Sequence, residues 1–113
     1  SPAAVILFET ILASLSLFNH SNVHLPVSVD KWIRLFIVTP DMHRVHHSVI
    51  PKETDTNFGF NFPWWDRVFG TYRAQPEKGH AEMKIGLKEF RNNLGLITLI
   101  LLPFKREDKK GQP

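Results

Sequence analysis

The stretch that decides the fold reads TPDMHRVHHS and occupies positions 39 to 48. Its three histidines, His43, His46 and His47, form an HxxHH pattern, and imidazole is a common metal ligand in proteins. Residues three or four apart lie on one side of a helix, so His43 can share an ion with His46 or with His47. His46 and His47 are adjacent and diverge by about 100° around a helix. We therefore expect these two side chains to serve two neighbouring ions.

The same stretch contains a helix start. Thr39 is a preferred N-cap residue, and Pro40 suits the first helical position because an N–H there would have no helical partner. Asp41 falls in the first turn, where a negative charge complements the helix dipole, and this is the role we expect for it. Alternatively, the Asp41 carboxylate can orient an imidazole ring.

A second cluster, His20-x-x-x-His24, lies upstream, and five of the six histidines fall between positions 20 and 47. At helical spacing His20 and His24 can also close on one ion. A single histidine is more often a surface or capped core residue than a ligand, and we assign His80 to that class. Two ordered clusters instead favour a metal site with the following ligands: His20, His24, His43, His46 and His47.

The ligand chemistry is limited further by composition. The chain contains no cysteine, which excludes disulfides and both thiolate and iron–sulfur ligation by this chain. Imidazole, with carboxylates as helpers, suits zinc, iron, copper or nickel.

The 113 residues are enough for one domain at most, and they carry a formal net charge of +3. We expect a domain over residues 1–104, followed by a polar charged tail over residues 105–113. No basic stripe or nucleic-acid-binding motif accompanies the tail, so nucleic acid is not an expected partner. The start, Ser1-Pro2-Ala3, has no initiator methionine and no basic signal-peptide segment, which predicts a piece of a longer protein.

An apolar run over residues 3–18 predicts a helix that leads into the first histidine cluster and carries it near its end. The run is apolar nearly all round, as in a buried or membrane helix, although Glu9 lies in its middle. Its 16 residues are fewer than the roughly 20 that span a bilayer. Two interpretations follow: a core helix, or the inner end of a membrane helix whose beginning is missing.

The remaining pattern is also helical, which makes the chain all-α. Residues 28–38 predict an amphipathic helix that lies on a core or in a membrane interface. Residues 48–62 predict an irregular loop, and residues 63–70 a short helix that ends at a glycine. Residues 86–93 predict one or two helical turns. The apolar residues 94–102 are too few to span a bilayer, so they dip into it or pack on the domain.

Four segments together resemble the fatty acid hydroxylase / sterol desaturase superfamily. They are FNHSNVHLP at 18–26, TPDMHRVHHS at 39–48, DTNFG at 55–59 and WDRVFGTY at 65–72. The resemblance is close over residues 18–73 and loose elsewhere. It is specific because the histidine boxes and the WDRVFGTY run occur together and in the same order.

The resemblance implies an integral membrane, oxygen-dependent enzyme with a di-iron centre held by histidines. Such enzymes insert hydroxyl groups or double bonds into lipids such as sterols, fatty acyl chains or alkylglycerols. The five clustered histidines would be iron ligands, with zinc as a substitute metal. Further histidine boxes precede these two in the family, so the chain resembles the C-terminal part of a helical di-iron domain. We expect the fragment alone to be inactive.

The resemblance also implies partners: a lipid substrate, O₂, the bilayer and the upstream half of the same chain. Electrons would come from an external donor, since the sequence has no flavin- or nicotinamide-binding motif. Aromatic side chains after the last histidine box would line the lipid entrance, or equally would form core: Phe58, Phe60, Phe62, Trp64 and Trp65. Two alternatives for the whole chain are a small non-redox zinc-binding domain and a membrane-associated structural segment without metal.

Overall fold

A computed structural model of the protein describes residues 1–87 and 95–104. The helices in these ranges are α1 Pro2–Asn19, α2 Val27–Ile33, α3 Pro40–His46, α4 Pro51–Thr54, α5 Trp64–Phe69, α6 Gly79–Glu82 and α7 Leu96–Leu101, followed by a 3₁₀ turn Leu102–Phe104. The described residues form no β-strand, and Ser48 and Ile85 meet in an isolated antiparallel bridge. The prediction of an all-α chain is confirmed for this part of the protein.

The helix α1 is exposed along most of its length. The Ser1 hydroxyl accepts a hydrogen bond from the Ala4 N–H at 3.4 Å and caps the helix, and Pro2 opens its first turn. Only Asn19, its last residue, is buried. This exposure favours a helix that meets lipid over one buried in the core of the described residues.

Two features of α1 suit an apolar environment. The helix is 18 residues long, two more than expected, and its length and composition are sufficient to cross a membrane. The Thr10 hydroxyl donates to the Ile6 carbonyl and the Ser14 hydroxyl donates to the Thr10 carbonyl, each at 2.7 Å. These bonds satisfy the hydroxyl groups within the helix itself, as required where water is absent.

The helix α2 ends at Ile33, so the prediction that it continues to residue 38 is wrong. The Val38 N–H donates to the Asn61 carbonyl at 3.0 Å, outside any helix. Thr39 then adopts an extended conformation with ψ 160° as the N-cap of α3, as expected for a residue before proline. The chain must therefore leave the helix before residue 38. Trp32 on α2 is exposed, so the described residues do not cover the apolar face of this helix at that position.

The helix α3 lies at the centre of the fold and packs against α1 and α4. It begins where the sequence predicts, with the Thr39 hydroxyl accepting from the Met42 N–H at 3.5 Å. Val38, Met42 and Val45 are the buried hydrophobic residues of the described part. Buried polar and charged side chains outnumber them: Asn19, Asp30, Arg34, Thr39, His43, Ser48, Glu53, Asn57 and Asp66. Hydrogen bonds therefore hold much of this interior together.

The segment after α3 is more ordered than the predicted loop over residues 48–62. It contains α4, a single turn that begins at Pro51, and the loop prediction is wrong at that turn. The predicted short helix after residue 63 is confirmed as α5. It ends at Gly70, whose φ of 71° is favourable only for glycine. Trp64 and Trp65 on α5 are exposed, which agrees with an interface location better than with core.

The C-terminal part adds two short helices. The turn α6 has no helical pattern in the sequence that would predict it. The helix α7 lies within the apolar run 94–102, and its side chains are largely exposed. Most of the predicted helical segment 86–93 and the whole tail 105–113 lie outside the described residues.

Candidate metal centre

His43 is the centre of a cluster of three imidazoles. Its Nε2 atom lies 3.1 Å from Nε2 of His20 and 3.1 Å from Nε2 of His47. One ring nitrogen from each residue lies within 4.8 Å of the other two. The cluster joins the end of α1 to both ends of the HxxHH pattern on α3, across 23 positions of sequence.

The spacing of these atoms fits a shared metal ion. Two imidazole nitrogens bound to one ion at about 2.0–2.1 Å, with bond angles of roughly 90–110°, lie about 2.8–3.4 Å apart. Lone pairs this close repel each other unless a proton or a cation lies between them. The donor set, three imidazoles without a carboxylate, suits zinc, iron, copper or nickel.

Backbone carbonyl groups fix the tautomer of two of the imidazoles. The His20 ring has its Nδ1 atom 2.8 Å from the Ser16 carbonyl, and the His46 ring has its Nδ1 atom 2.9 Å from the Thr56 carbonyl. A carbonyl oxygen only accepts, so each Nδ1 carries the proton. The lone pair then lies on Nε2, which leaves Nε2 available to a metal.

His46 lies beside the three-nitrogen cluster rather than in it. Its ring centroid is 5.7 Å from that of His43 and 5.5 Å from that of His47. His47 is the C-cap residue of α3, four positions after His43, and its ring is inclined by 72° to that of His46. The adjacent His46 and His47 rings are therefore directed differently, as their spacing predicts.

His24 is not brought into the cluster. The helix α1 ends at Asn19, so the prediction that it carries both His20 and His24 is wrong, and helical spacing does not pair them. The His24 side chain is 62% exposed, and its Nδ1 atom lies 3.5 Å from an Asp41 carboxylate oxygen. Asp41, which also meets Arg44 at 3.3 Å, thus contacts an imidazole in addition to lying in the first turn of α3.

The electrostatics keep the central rings neutral at physiological pH. Burial, followed by the nearby His47, His20 and His46 rings, lowers the pKa of His43 to about 4. Burial and the same kind of repulsion lower the pKa of His47. Neutral rings retain the lone pairs that metal binding requires.

An apolar groove of about 660 Å³ lies beside the cluster. Phe58 and Phe60 separate the two: their rings lie 5.6 Å from His46 and 6.4 Å from His43, respectively. The groove is lined by Phe8, Leu12, Phe58, Gly59, Phe60, Asn61, Phe62, Trp65, Asp66, Phe69 and Thr71. Four of the five aromatic residues singled out in the sequence therefore line it, whereas Trp64 stacks on Phe62 and donates to the Leu35 carbonyl at 2.6 Å.

A second pocket, of about 450 Å³, lies at the His20 and His47 side of the cluster. It is lined by Asn19, His20, Ser21, Asn22, Arg44, His47, Ile85 and Gly86. Two of the three clustered imidazoles, His20 and His47, therefore line this pocket directly.

Two residues that shape the site are not predicted from the sequence. Asn19 donates to the Phe60 carbonyl at 2.6 Å and joins α1 to residues 58–65, the aromatic segment. Asp66 accepts hydrogen bonds from the Phe58 and Gly59 N–H groups at 2.7 and 2.9 Å. Asp66 could have been noticed within the WDRVFGTY motif, but no local pattern marks Asn19 as a site residue.

These observations define the class: a helical protein in which three imidazoles converge beside an apolar groove. The chain belongs to the fatty acid hydroxylase family, whose model matches residues 1–71. The match includes both histidine clusters and confirms the resemblance seen in the sequence.

Named relatives are lipid-modifying enzymes. The chain is 30% identical over 111 residues to ornithine lipid hydroxylase OlsE of Rhizobium tropici, a match that covers 97% of the chain and 32% of that protein. It is 37% identical over 84 residues to alkylglycerol monooxygenase of Caenorhabditis elegans, covering 66% of the chain and 16% of the relative. The Xenopus tropicalis alkylglycerol monooxygenase is 42% identical over 48 residues, covering 42% of the chain and 10% of the relative. The chain therefore spans about a third or less of the length of these relatives. No solved structure matches it significantly.

Proposed function

We propose that the chain carries part of the metal centre and the substrate groove of a membrane-bound, oxygen-dependent lipid hydroxylase. The observation that carries the proposal is the convergence of three imidazoles against an aromatic groove in a fatty acid hydroxylase family member. Hydroxylation is favoured over desaturation because the relatives are named as a hydroxylase and as monooxygenases.

The metal is proposed to be iron. His20, His43 and His47 would hold one ion, since their Nε2 atoms already converge. His24 and His46 lie outside this cluster and would contribute to a second ion. When bound, iron supplies with O₂ the oxidising power for an unactivated C–H bond, which no amino-acid side chain has.

The residues of the chain would prepare the site in three ways. The Ser16 and Thr56 carbonyls hold the protons of His20 and His46 on Nδ1. The low pKa of His43 keeps that ring unprotonated at neutral pH. The apolar groove would bring a lipid chain next to the Phe58 and Phe60 rings, which border the imidazoles.

The remaining partners follow from the same proposal. A lipid and O₂ are the substrates, and an external donor supplies electrons. The exposed α1 helix would contact the bilayer, and its length and composition support the proposed membrane location. The other ligands of a di-iron centre would come from the two thirds of a relative's length that this chain does not match.

Metal analysis and lipid analysis of the full-length protein that contains this chain test the proposal together. We expect stoichiometric iron and an O₂-dependent hydroxylated lipid in the wild type. His43→Ala should lose both, whereas His80→Gln, a matched histidine substitution outside the cluster, should retain both.

A different result would favour the non-redox alternative. Three imidazoles are also a frequent zinc ligand set. Tightly bound zinc, absence of iron after purification from iron-supplemented cells, and no oxygen-dependent lipid product would overturn the hydroxylase proposal. Unchanged metal content in His43→Ala would show that the cluster is not the metal site.

A further inference from the structure

Glu53 on α4 is a fully buried carboxylate close to the imidazoles, and it is not one of the proposed ligands. A buried carboxylate is costly unless its oxygens are hydrogen-bonded. Both are satisfied here: the Ser48 hydroxyl donates to Oε2, and the Glu77 N–H donates to Oε1 at 2.6 Å. The Arg73 guanidinium lies 3.9 Å from Oε1.

The direction of the Ser48 hydroxyl is determined by its other partner. The Ile50 N–H donates to Ser48 Oγ at 3.1 Å, so the hydroxyl proton is free to point to Glu53. Burial alone would raise the pKa of Glu53, but the Ser48 and Glu77 hydrogen bonds and the charge of Arg73 outweigh it and lower the pKa. Glu53 is therefore ionised and accepts hydrogen bonds at both oxygens.

The first connection from Glu53 to the metal centre runs through Ser48. Ser48 directly follows His47, and its N–H donates to the Val45 carbonyl at 3.1 Å, which closes the end of α3. The Thr54 hydroxyl donates to the Ser48 carbonyl. The position where α3 stops, and with it the direction of the His47 ring, is thus tied to α4.

The second connection runs through the turn after α4. The Thr56 hydroxyl donates to the Glu53 carbonyl at 2.5 Å. The carbonyl of the same Thr56 accepts the Nδ1 proton of His46 at 2.9 Å. Residues 53–56 thus carry the group that sets the tautomer and orientation of His46.

We propose that Glu53 is a positioning residue for the metal centre. Its carboxylate holds the segment 53–56 against the end of α3 and thereby sets the orientation of both His46 and His47. The inference rests on the proposed function, because it requires the imidazoles to bind metal. Groups that orient metal-bound imidazoles typically change metal affinity by about 10–100-fold when they are removed.

Cobalt(II) binding tests the inference with a readout that does not depend on turnover. The visible absorption of Co²⁺ reports the number and arrangement of its ligands, and a titration gives the affinity. The full-length protein would be compared with Glu53→Ala, Glu53→Gln and Glu77→Gln. Glu77 is a matched control, because its exposed side chain contacts the same Arg73 at 3.2 Å but does not contact Ser48.

We expect Glu53→Ala to bind Co²⁺ about 10–100-fold more weakly, with a changed visible spectrum. Glu53→Gln retains an acceptor for the Glu77 N–H but not for the Ser48 hydroxyl, so a smaller loss of about tenfold and a changed spectrum are expected. Glu77→Gln should match the wild type. Circular dichroism would establish that each variant is folded at the titration temperature, and Glu53→Gln decides the question if Glu53→Ala does not fold.

Two failures are distinguishable. Folded Glu53 variants with wild-type cobalt affinity and spectrum would overturn the positioning role and leave the metal centre intact. A wild-type protein that binds no Co²⁺ would overturn the proposed function and this inference with it.

Discussion

Replacing Asp66 should destabilise the protein and open the wall of the groove. This carboxylate is 1% exposed and accepts three hydrogen bonds, from the Phe58 N–H at 2.7 Å, the Gly59 N–H at 2.9 Å and the Thr71 hydroxyl at 2.6 Å. These bonds hold the aromatic segment that begins at Phe58 against the helix α5. Asp66→Ala removes all three acceptors at once.

The size of the change in the free energy of unfolding depends on which of the three donors can form a hydrogen bond to water instead. A hydrogen bond to a charged group contributes about 1.5–3 kcal/mol, and a buried donor left unpaired costs about 1–3 kcal/mol. Gly59 is buried, so its N–H stays unpaired, whereas Phe58 is exposed and its N–H can be rehydrated more easily. We therefore expect Asp66→Ala to lower the free energy of unfolding by about 3–5 kcal/mol, and Asp66→Asn, which keeps one acceptor oxygen, by about half as much.

Urea unfolding in detergent micelles, followed by tryptophan fluorescence, measures this change, because Trp64 and Trp65 directly precede Asp66 on α5. Asp55→Ala is the control: it removes the same charge at an exposed position and should change the free energy of unfolding by less than about 0.5 kcal/mol. The reasoning is refuted if Asp66→Ala costs less than about 1 kcal/mol, since one unpaired buried amide alone exceeds that.

Three further predictions concern pH, backbone packing and chain length. His43 stays neutral in the folded protein down to its pKa of about 4, whereas a histidine in the unfolded chain takes up its proton near pH 6.5. The free energy of unfolding of the metal-free protein should therefore rise by about 3 kcal/mol from pH 4 to 6.5. Thermal melting in the presence of a chelator measures this rise, and His43→Gln should depend less on pH. Gly59→Ala should lower the free energy of unfolding by about 2–3 kcal/mol in the same urea assay. The added Cβ would lie 2.6 Å from the Phe62 carbonyl oxygen and 2.7 Å from an Asp66 carboxylate oxygen. A variant as stable as the wild type would contradict this packing. Leu12→Trp should fill space in the groove for roughly two methylene groups of the lipid. The KM for a long-chain lipid should then rise about tenfold, whereas kcat/KM for a lipid with a shorter acyl chain should be retained. Equal effects on both lipids would argue against this groove as the binding site of the acyl chain.

The local chemistry of the sequence was sufficient for several boundaries. Thr39 and Pro40 start α3 because a side-chain cap and a proline ring act on neighbouring backbone only. Gly70 ends α5 for the same kind of reason, since only glycine adopts a positive φ without cost. The family could also be recognised from the sequence, because the spacing of the histidines and aromatic residues is a property of the sequence itself. The set of five ligands stays a prediction.

Tertiary structure alone decided which imidazole of the upstream cluster meets His43 and His47. Helical spacing pairs His20 with His24, yet α1 ends before His20, and the fold places His20 against His43 and His47 instead. It also decided where α2 stops, because the Val38 N–H bonds to a carbonyl 23 residues away. Local sequence rules describe residues within one or two helical turns of each other. These contacts instead depend on hydrogen bonds between segments that are distant in sequence, and such bonds form only when α1, α3 and the aromatic segment have packed together.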